Sequence, residues 1–150
     1  MQARWWFGDA VAGRSIVHPV TRTIGADEHV WLAWISMNAS ELHGNADRAA
    51  AGSFGRPVVL GALTAAIVIG LAAPGGQGLL PSADGRTGWR AIRLGRPVFA
   101  GDVLRAMSEV HARQPDGDGG FVERTIRGLS QRDEVVVTIE ETCYAERQPW

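Results

Sequence analysis

An amide and an imidazole lie five residues apart in the chain, at Asn38 and His43. Histidine suits proton transfer near neutral pH, because its ordinary pKa is about 6.5. An amide cannot take a proton, but its donor and acceptor groups can hold a water molecule or the imidazole. The pair therefore predicts a site in which His43 acts as acid or base and Asn38 orients water.

An apolar segment rich in small residues opens around Gly61, behind a basic and aromatic turn at residues 53–57. A helix that begins there has free backbone N–H groups, which can polarise a carbonyl oxygen. Gly61 would let a thioester approach these groups, and it would equally permit close packing, so both roles stay open. Together, the imidazole, the amide and the N–H groups at the helix start are the groups needed to add water to an unsaturated thioester or to remove it.

The residues on either side of the pair predict two helices. Asp27 and Glu28 suit the positive end of a helix that continues to about Asn38. Residues 45–51 predict a short helix that Gly52 stops.

Residues 58–73 predict a long buried helix. The segment is apolar apart from Thr64 and two glycines, and Pro57 and Pro74 bracket it. It is shorter than the ~20 residues that a bilayer helix needs. A helix of this length that is apolar all round belongs in the middle of a soluble protein. A Gly-rich loop at residues 75–78 should follow it.

The second half of the chain has the period of β-strands. The predicted strands are residues 87–94, 103–112, 121–129 and 135–146. The pattern of residues 103–112 also fits a helix, but its neighbours are strands and it is assigned with them. The turn chemistry of QPDGDGG predicts a hairpin loop over residues 114–120, and Pro19 interrupts an edge or irregular strand over residues 15–24.

These elements predict an α+β fold. A late meander of about four strands must cover its apolar face, and a helix that is apolar all round must be wrapped. An antiparallel sheet curled around the long apolar central helix satisfies both needs, and this is the hotdog architecture. The length of 150 residues fits one such domain over residues 1–150.

The composition excludes several functional classes. The net charge is -1 and no long charged run occurs, so neither a nucleic-acid partner nor a membrane partner is predicted. All 15 basic residues are arginine, which excludes a Schiff-base lysine. The single cysteine, Cys143, excludes an internal disulfide and a zinc site built on several cysteines. His18, His29 and His111 have no spacing that suggests a metal site, and none is predicted.

The segment from Met37 to Thr64 resembles the MaoC-like dehydratases and (R)-specific enoyl-CoA hydratases. Their motif is an Asp, four residues and a His, followed by a Phe-Gly turn and the hotdog helix. Here the Asp position is Asn38 and the His is His43, the turn begins at Phe54, and the helix starts near Gly61. The resemblance covers nearly the whole chain, from about residue 6 to residue 147.

One branch of that family, the mesaconyl-CoA hydratases (β-methylmalyl-CoA dehydratases), is most similar. It carries a Met-Asn and a Leu-His around the motif, as Met37-Asn38 and Leu42-His43 do here, and it resembles residues 88–102 and 127–131. Members of that branch are two fused hotdog units. The resemblance implies that this chain, as a single unit, pairs with itself as a homodimer.

The resemblance implies hydration or dehydration of an acyl thioester carried by CoA or by an acyl carrier protein, with no cofactor beyond the thioester itself. His43 would be the acid and base, Asn38 would orient water, and the N–H near Gly61 would form the oxyanion hole. Two departures matter: Asn38 replaces the usual Asp, and Leu60 replaces the His that many relatives carry before this glycine. Either His43 then makes both proton transfers, or another group helps.

Further residues around the motif are candidates for substrate binding. Ser40 stands where relatives often have Asn and could orient the loop or the thioester, but a local backbone bond of a loop serine is the favoured interpretation. Arg56 is a candidate for CoA phosphates or a substrate carboxylate, with a salt bridge as the alternative. Arg93 and Arg96 are weaker candidates of the same kind. Trp31 and Trp34 are expected in the core or an interface.

Two other functions remain open. A hotdog acyl-thioesterase needs a carboxylate near the thioester, which Glu41 or Asp47 would have to supply. A non-catalytic protein that binds an acyl thioester or a hydrophobic ligand would explain an amide at Asn38. The opening residues MQARWWFGD lack the apolar region of a secretory signal, so we expect a cytoplasmic protein.

Overall fold

The computed structural model of the chain describes residues 6–73 and 86–148. After a short 3₁₀ helix at Phe7–Asp9, the helices are α1 (Ala26–Ile35), α2 (Glu41–Gly44), α3 (Ala46–Ala51) and α4 (Gly61–Ala72). The strands are β1 (Ser15–Val17), β2 (Arg22–Thr23), β3 (Gly88–Leu94), β4 (Val103–Asp116), β5 (Gly119–Leu129) and β6 (Val135–Glu146).

The strands form one six-stranded antiparallel sheet in the order β1-β4-β5-β6-β3, with β2 also paired to β4. Helix α4 packs against one face of the sheet, and buried residues alternate with less buried ones along β4 and β6. The buried cluster joins α4 to strands β4, β5 and β6, and includes Ile67, Val68, Leu71, Leu104, Ile126, Val137 and Ile139. The structure is the expected α+β hotdog fold. The sheet covers one face of α4 and leaves Ala62, Ala66 and Gly70 on the other face exposed.

The hairpin predicted over residues 114–120 is confirmed, but its loop is shorter than expected. Strand β4 continues to Asp116 and β5 begins at Gly119, so the turn is confined to Gly117 and Asp118. Gly120 is not a turn residue: a Cβ there would overlap Phe7 and the carbonyl oxygen of Gln114. Close approach, rather than turn geometry, is the reason for this glycine.

The single interrupted strand predicted over residues 15–24 is two separate strands in the structure, whereas the predicted late strands are confirmed. Residues 15–24 form two short strands, β1 and β2, on either side of His18 and Pro19. Pro74 and the Gly-rich loop at residues 75–78 lie outside the described residues. Within residues 6–73 and 86–148, no helix is long and apolar enough to cross a membrane.

The core is polar beyond the carboxyl end of α4. The buried guanidinium of Arg124 pairs with Glu141 at 2.6 Å and donates to the carbonyl oxygen of Ala72 at 3.1 Å. Next to it, His18 Nε2 shares a hydrogen bond of 2.8 Å with the hydroxyl of Ser108. Burial and the charge of Arg124 lower the pKa of His18 to about 4. These groups satisfy one another at the end of the fold away from the start of α4.

Candidate active site

The carboxyl end of α1 determines where Asn38 lies. The N–H of Asn38 donates to the carbonyl oxygen of Ala33 at 2.9 Å, and that of Met37 donates to Trp34 at 3.0 Å. This pair of bonds is a Schellman motif, which needs a left-handed residue. Met37 takes that conformation, with φ of 52°. The helix therefore stops at Ile35, three residues earlier than the sequence predicted.

Asn38 connects α1 to the helix that carries the imidazole. Its Oδ1 accepts a hydrogen bond of 3.0 Å from the N–H of Ser40, and Ser40 is the residue that precedes α2. This bond uses the backbone N–H of Ser40, and the Ser40 side chain makes no capping hydrogen bond to α2. Within the described part of the chain, the Nδ2 group of Asn38 has no protein partner and is exposed. It is free to donate to a water molecule.

His43 lies on α2 and is half-buried. Its Nδ1 is 2.7 Å from the carbonyl oxygen of Val58. A carbonyl can only accept, so Nδ1 carries the hydrogen and Nε2 of the neutral ring carries the lone pair. The N–H of Val58 also donates to the carbonyl oxygen of Leu42 at 3.2 Å. Two bonds therefore tie α2 to the segment that enters α4.

A second imidazole, which the sequence reasoning passed over, lies against His43. The rings of His29 and His43 are 6.2 Å apart between centroids and meet edge to face at 76°. His29 is only 4% exposed. Burial and the charge of His43 lower its pKa, while hydrogen bonding to the backbone of His43 acts in the opposite direction. The available signal was a polar residue four positions before the buried Ala33, on the same face of α1.

The start of α4 is closed by an apolar side chain from the sheet. Leu60 is buried and precedes the helix without a capping side chain. A Cβ added at Gly61 would overlap Cδ1 of Leu94, the last residue of β3. The absence of a side chain at Gly61 therefore allows Leu94 to pack there. The proposed approach of a thioester to the same N–H groups stays a prediction.

The arginine candidates differ in their partners. The guanidinium of Arg56 lies 3.8 Å from the centroid of the Phe99 ring, and no ion pair links it to a carboxylate of residues 6–73 or 86–148. Arg93 pairs with Glu140, and Arg96 lies 3.9 Å from Glu134. A stacked guanidinium keeps its N–H groups available at the edge. Arg56 is therefore better placed than the other two to receive an anionic group.

The carboxylates near the motif are solvated. Glu41 lies 3.6 Å from Arg48, and both side chains are more than half exposed. Asp47 is also exposed, in the first turn of α3. Among the described residues, no three His, Cys, Asp or Glu side chains come together in a way that could hold a metal ion.

An apolar surface flanks the site on α1. Trp31 and Trp34 meet edge to face with centroids 5.9 Å apart, and they are 62% and 66% exposed. Met37 is 88% exposed. The two tryptophans do not lie in the core of this chain, and an interface or the lining of an acyl pocket stays a prediction.

The family model described as "MaoC like domain" matches residues 9–129 of the chain. R-hydratase PhaJ1 from Pseudomonas aeruginosa superposes with a TM-score of 0.75 at 24% identity, covering 99% of this chain and 90% of that one. The (R)-hydratase from A. caviae involved in PHA biosynthesis gives a TM-score of 0.67 at 28% identity, covering 93% and 97%.

A longer protein also shares the fold. The putative MaoC domain protein dehydratase from Chloroflexus aurantiacus superposes with a TM-score of 0.80 at 20% identity, over 97% of this chain and 45% of that one. No curated protein sequence matches the chain significantly. The fold is thus shared both with proteins of about the length of this chain and with a protein about twice as long.

Proposed function

The chain belongs to the MaoC-like domain family, and from that premise we propose that it is a hydratase or dehydratase of acyl thioesters. It would add water to an α,β-unsaturated thioester, or remove water from a 3-hydroxyacyl thioester. The observation that carries the proposal is the hydrogen bond between His43 Nδ1 and Val58, which leaves Nε2 as a free base. Asn38, with an unused amide N–H₂, precedes the same helix.

In the hydration direction, Nε2 of His43 would take a proton from a water molecule held by Nδ2 of Asn38. The water oxygen would bond to the β-carbon, and the electrons of the double bond would move to the thioester oxygen. Backbone N–H groups at Gly61 would stabilise that enolate oxygen. The proton on His43 would then pass to the α-carbon, which restores the neutral imidazole and closes the cycle.

One imidazole would therefore serve as both base and acid. This follows from Asn38, because an amide cannot share the proton transfers as a carboxylate can. All groups in the scheme come from the chain and the substrate, and we propose no cofactor beyond the CoA or phosphopantetheine of the thioester.

Two features bear on the acyl group of the substrate, and they favour different acyl groups. The wholly apolar α4 suits a hydrocarbon chain, whereas the resemblance to the mesaconyl-CoA hydratase branch suits a short branched dicarboxylic acyl group. Arg56, stacked on Phe99, supports the second, because it can receive either a carboxylate or a CoA phosphate.

We also propose that the chain acts as a homodimer in the cytoplasm. Strand β3 lies at the edge of the sheet, and its Trp89, Ile92 and Leu94 are 48%, 44% and 62% exposed. An apolar edge of this kind is commonly covered by pairing. The Chloroflexus protein, of which this chain matches 45%, has the length for a second unit.

The test uses purified protein with crotonyl-CoA and mesaconyl-CoA, following loss of the enoyl absorbance and release of free thiol in parallel. We expect enoyl loss without thiol release, and the preferred thioester identifies the acyl type. Thiol release would assign a thioesterase instead. Binding of either thioester without turnover would assign the non-catalytic alternative. His43→Ala should abolish hydration, and full hydratase activity in that variant would contradict the mechanism.

A further inference from the structure

His29 is an unexpected neighbour for a proton-transfer residue. Its Nδ1 is buried and has no hydrogen-bond partner among the described residues. A buried polar atom left without a partner destabilises the folded state, because it has given up its hydrogen bonds to water. Costs of this kind persist mainly where a residue has a functional role. The ring that bears this atom lies edge to face with His43, the residue to which the hydration mechanism assigns every proton transfer.

The acidic side chains of α1, α2 and α3 are paired with arginine or exposed. On α1, Glu28 pairs with Arg22 and accepts from the N–H of Gly25. On α2, Glu41 lies 3.6 Å from Arg48 of α3. The remaining acidic groups of these helices, Asp27 and Asp47, are exposed. A positive charge on one ring is therefore opposed by a positive charge on the other, with little compensation nearby.

The contacts of His43 come from two sides. The carbonyl oxygen of Val58 accepts from its Nδ1 on one side, and the His29 ring lies on another. In imidazole-based sites a third group commonly orients the ring and selects its tautomer. Here a backbone carbonyl selects the tautomer, and the buried ring of His29 restricts where the imidazole can turn.

We propose that His29 is a positioning residue for His43, holding its ring against the Val58 carbonyl, and that the charges of the two rings are coupled. The role of His29 in turnover rests on the proposed function. Its coupling to His43 does not, and the two can be tested separately.

The coupling is measured by NMR titration of the histidine rings in the wild type and in His43→Gln. Because coupling is reciprocal, removing the His43 charge should raise the pKa of His29. His29→Leu should also convert the ring nitrogens of His43 from a dominant Nδ1–H tautomer to a mixture. An unchanged titration of His29 in His43→Gln would overturn the proposal, and this comparison does not require His29→Leu to fold.

The effect on turnover is measured with whichever thioester the wild type hydrates. His29→Leu should lower kcat about 10- to 100-fold with little change in KM, as expected for a misplaced catalytic group. His29→Gln, which keeps a donor, should recover part of the loss. The matched control is His111→Leu, since His111 is exposed on β4 and bonds only Thr125 in the described structure. A wild-type kcat in His29→Leu would overturn the positioning role. An inactive wild type with intact coupling would instead contradict the proposed function.

Discussion

His43 Nδ1 and the carbonyl oxygen of Val58 lie 2.7 Å apart, although 15 residues separate them in the chain. This bond orients the imidazole and selects its tautomer. It also fixes α2 to the segment that leads into α4.

Two substitutions of His43 separate its structural role from its chemical one. His43→Asn can keep a donor toward Val58, whereas His43→Leu leaves the carbonyl unpaired. We expect His43→Leu to be less stable than His43→Asn by about 1–3 kcal/mol, measured by urea unfolding. Both should lose hydratase activity by about 10²- to 10⁴-fold, because neither supplies a base. Equal stability of the two variants would mean that the Val58 bond contributes little.

Asn38→Asp places a carboxylate two residues before Ser40, where relatives usually have Asp. The Asp oxygen can still accept from the N–H of Ser40, so the loop should keep its conformation. We expect measurable hydratase activity and an altered pH dependence of kcat/KM, because a second titrating group has been added. Asn38→Leu, which removes the water-holding amide, is the inactive comparison. A pH profile identical to that of the wild type would place Asn38 away from the proton transfers.

Met37→Gly should stabilise the protein. Met37 takes a left-handed conformation with φ of 52°, which costs a residue with a side chain roughly 1 kcal/mol or more relative to glycine. The side chain is 88% exposed, so little packing is lost. We expect a gain of about 1 kcal/mol in urea unfolding. Met37→Ala is the control and should gain nothing, because alanine meets the same strain. A gain in stability in Met37→Ala but not in Met37→Gly would refute the explanation by backbone strain.

Gly61→Ala separates the packing role of this glycine from an oxyanion role. The added methyl would overlap only the end of the Leu94 side chain, which is 62% exposed and can turn aside. Stability should therefore change by less than about 1 kcal/mol. If the N–H groups at Gly61 bind the thioester, kcat/KM should fall about 10-fold or more.

Gly120→Ala is the steric control for that experiment. Its methyl would meet the carbonyl oxygen of Gln114 and the ring of Phe7, neither of which can move as easily as an exposed leucine. We expect a loss of about 1–3 kcal/mol with kcat/KM preserved in the folded fraction. Activity losses in Gly61→Ala that merely follow its stability would favour packing as the sole role of Gly61.

His18 should make stability fall as the pH decreases from about 6.5. Its pKa in the folded protein is lowered to about 4, whereas the unfolded chain has the ordinary value. Above that ordinary value both states are neutral and the contribution to stability is complete. Below it the unfolded state takes the proton first, and the loss by pH 4 is of the order of 3 kcal/mol.

The measurement is the free energy of unfolding at pH 7 and pH 5, where carboxylates change little. His18→Gln keeps a donor for Ser108 and should show a smaller decrease over this range than the wild type. His111→Leu, at an exposed position, should leave the decrease unchanged. If the free energy of unfolding of His18→Gln decreases between pH 7 and pH 5 as much as that of the wild type, His18 is not the group that causes the decrease.

The sequence by itself determined the hotdog architecture and the candidate residues of the motif. The apolar segment that becomes α4 packs one face against the sheet, because burial there removes most of its apolar surface from water, while Ala62, Ala66 and Gly70 stay exposed on its other face. The late strands were equally predictable from period-two alternation. Asn38, His43 and Gly61 were found by residue type and spacing alone.

Only the tertiary structure decided which groups meet. Met37 occupies a position where glycine is usual, so sequence patterns placed the end of α1 too late. Gly120 was predicted to lie in the loop, because the sequence alone cannot distinguish a glycine needed for close approach from a glycine needed for a turn. The contact between His29 and His43 joins two helices through packing, and Leu94 reaches Gly61 from a distant strand. Long-range packing of this kind leaves no periodic trace in the chain, since it depends on how the helices and strands dock rather than on local spacing.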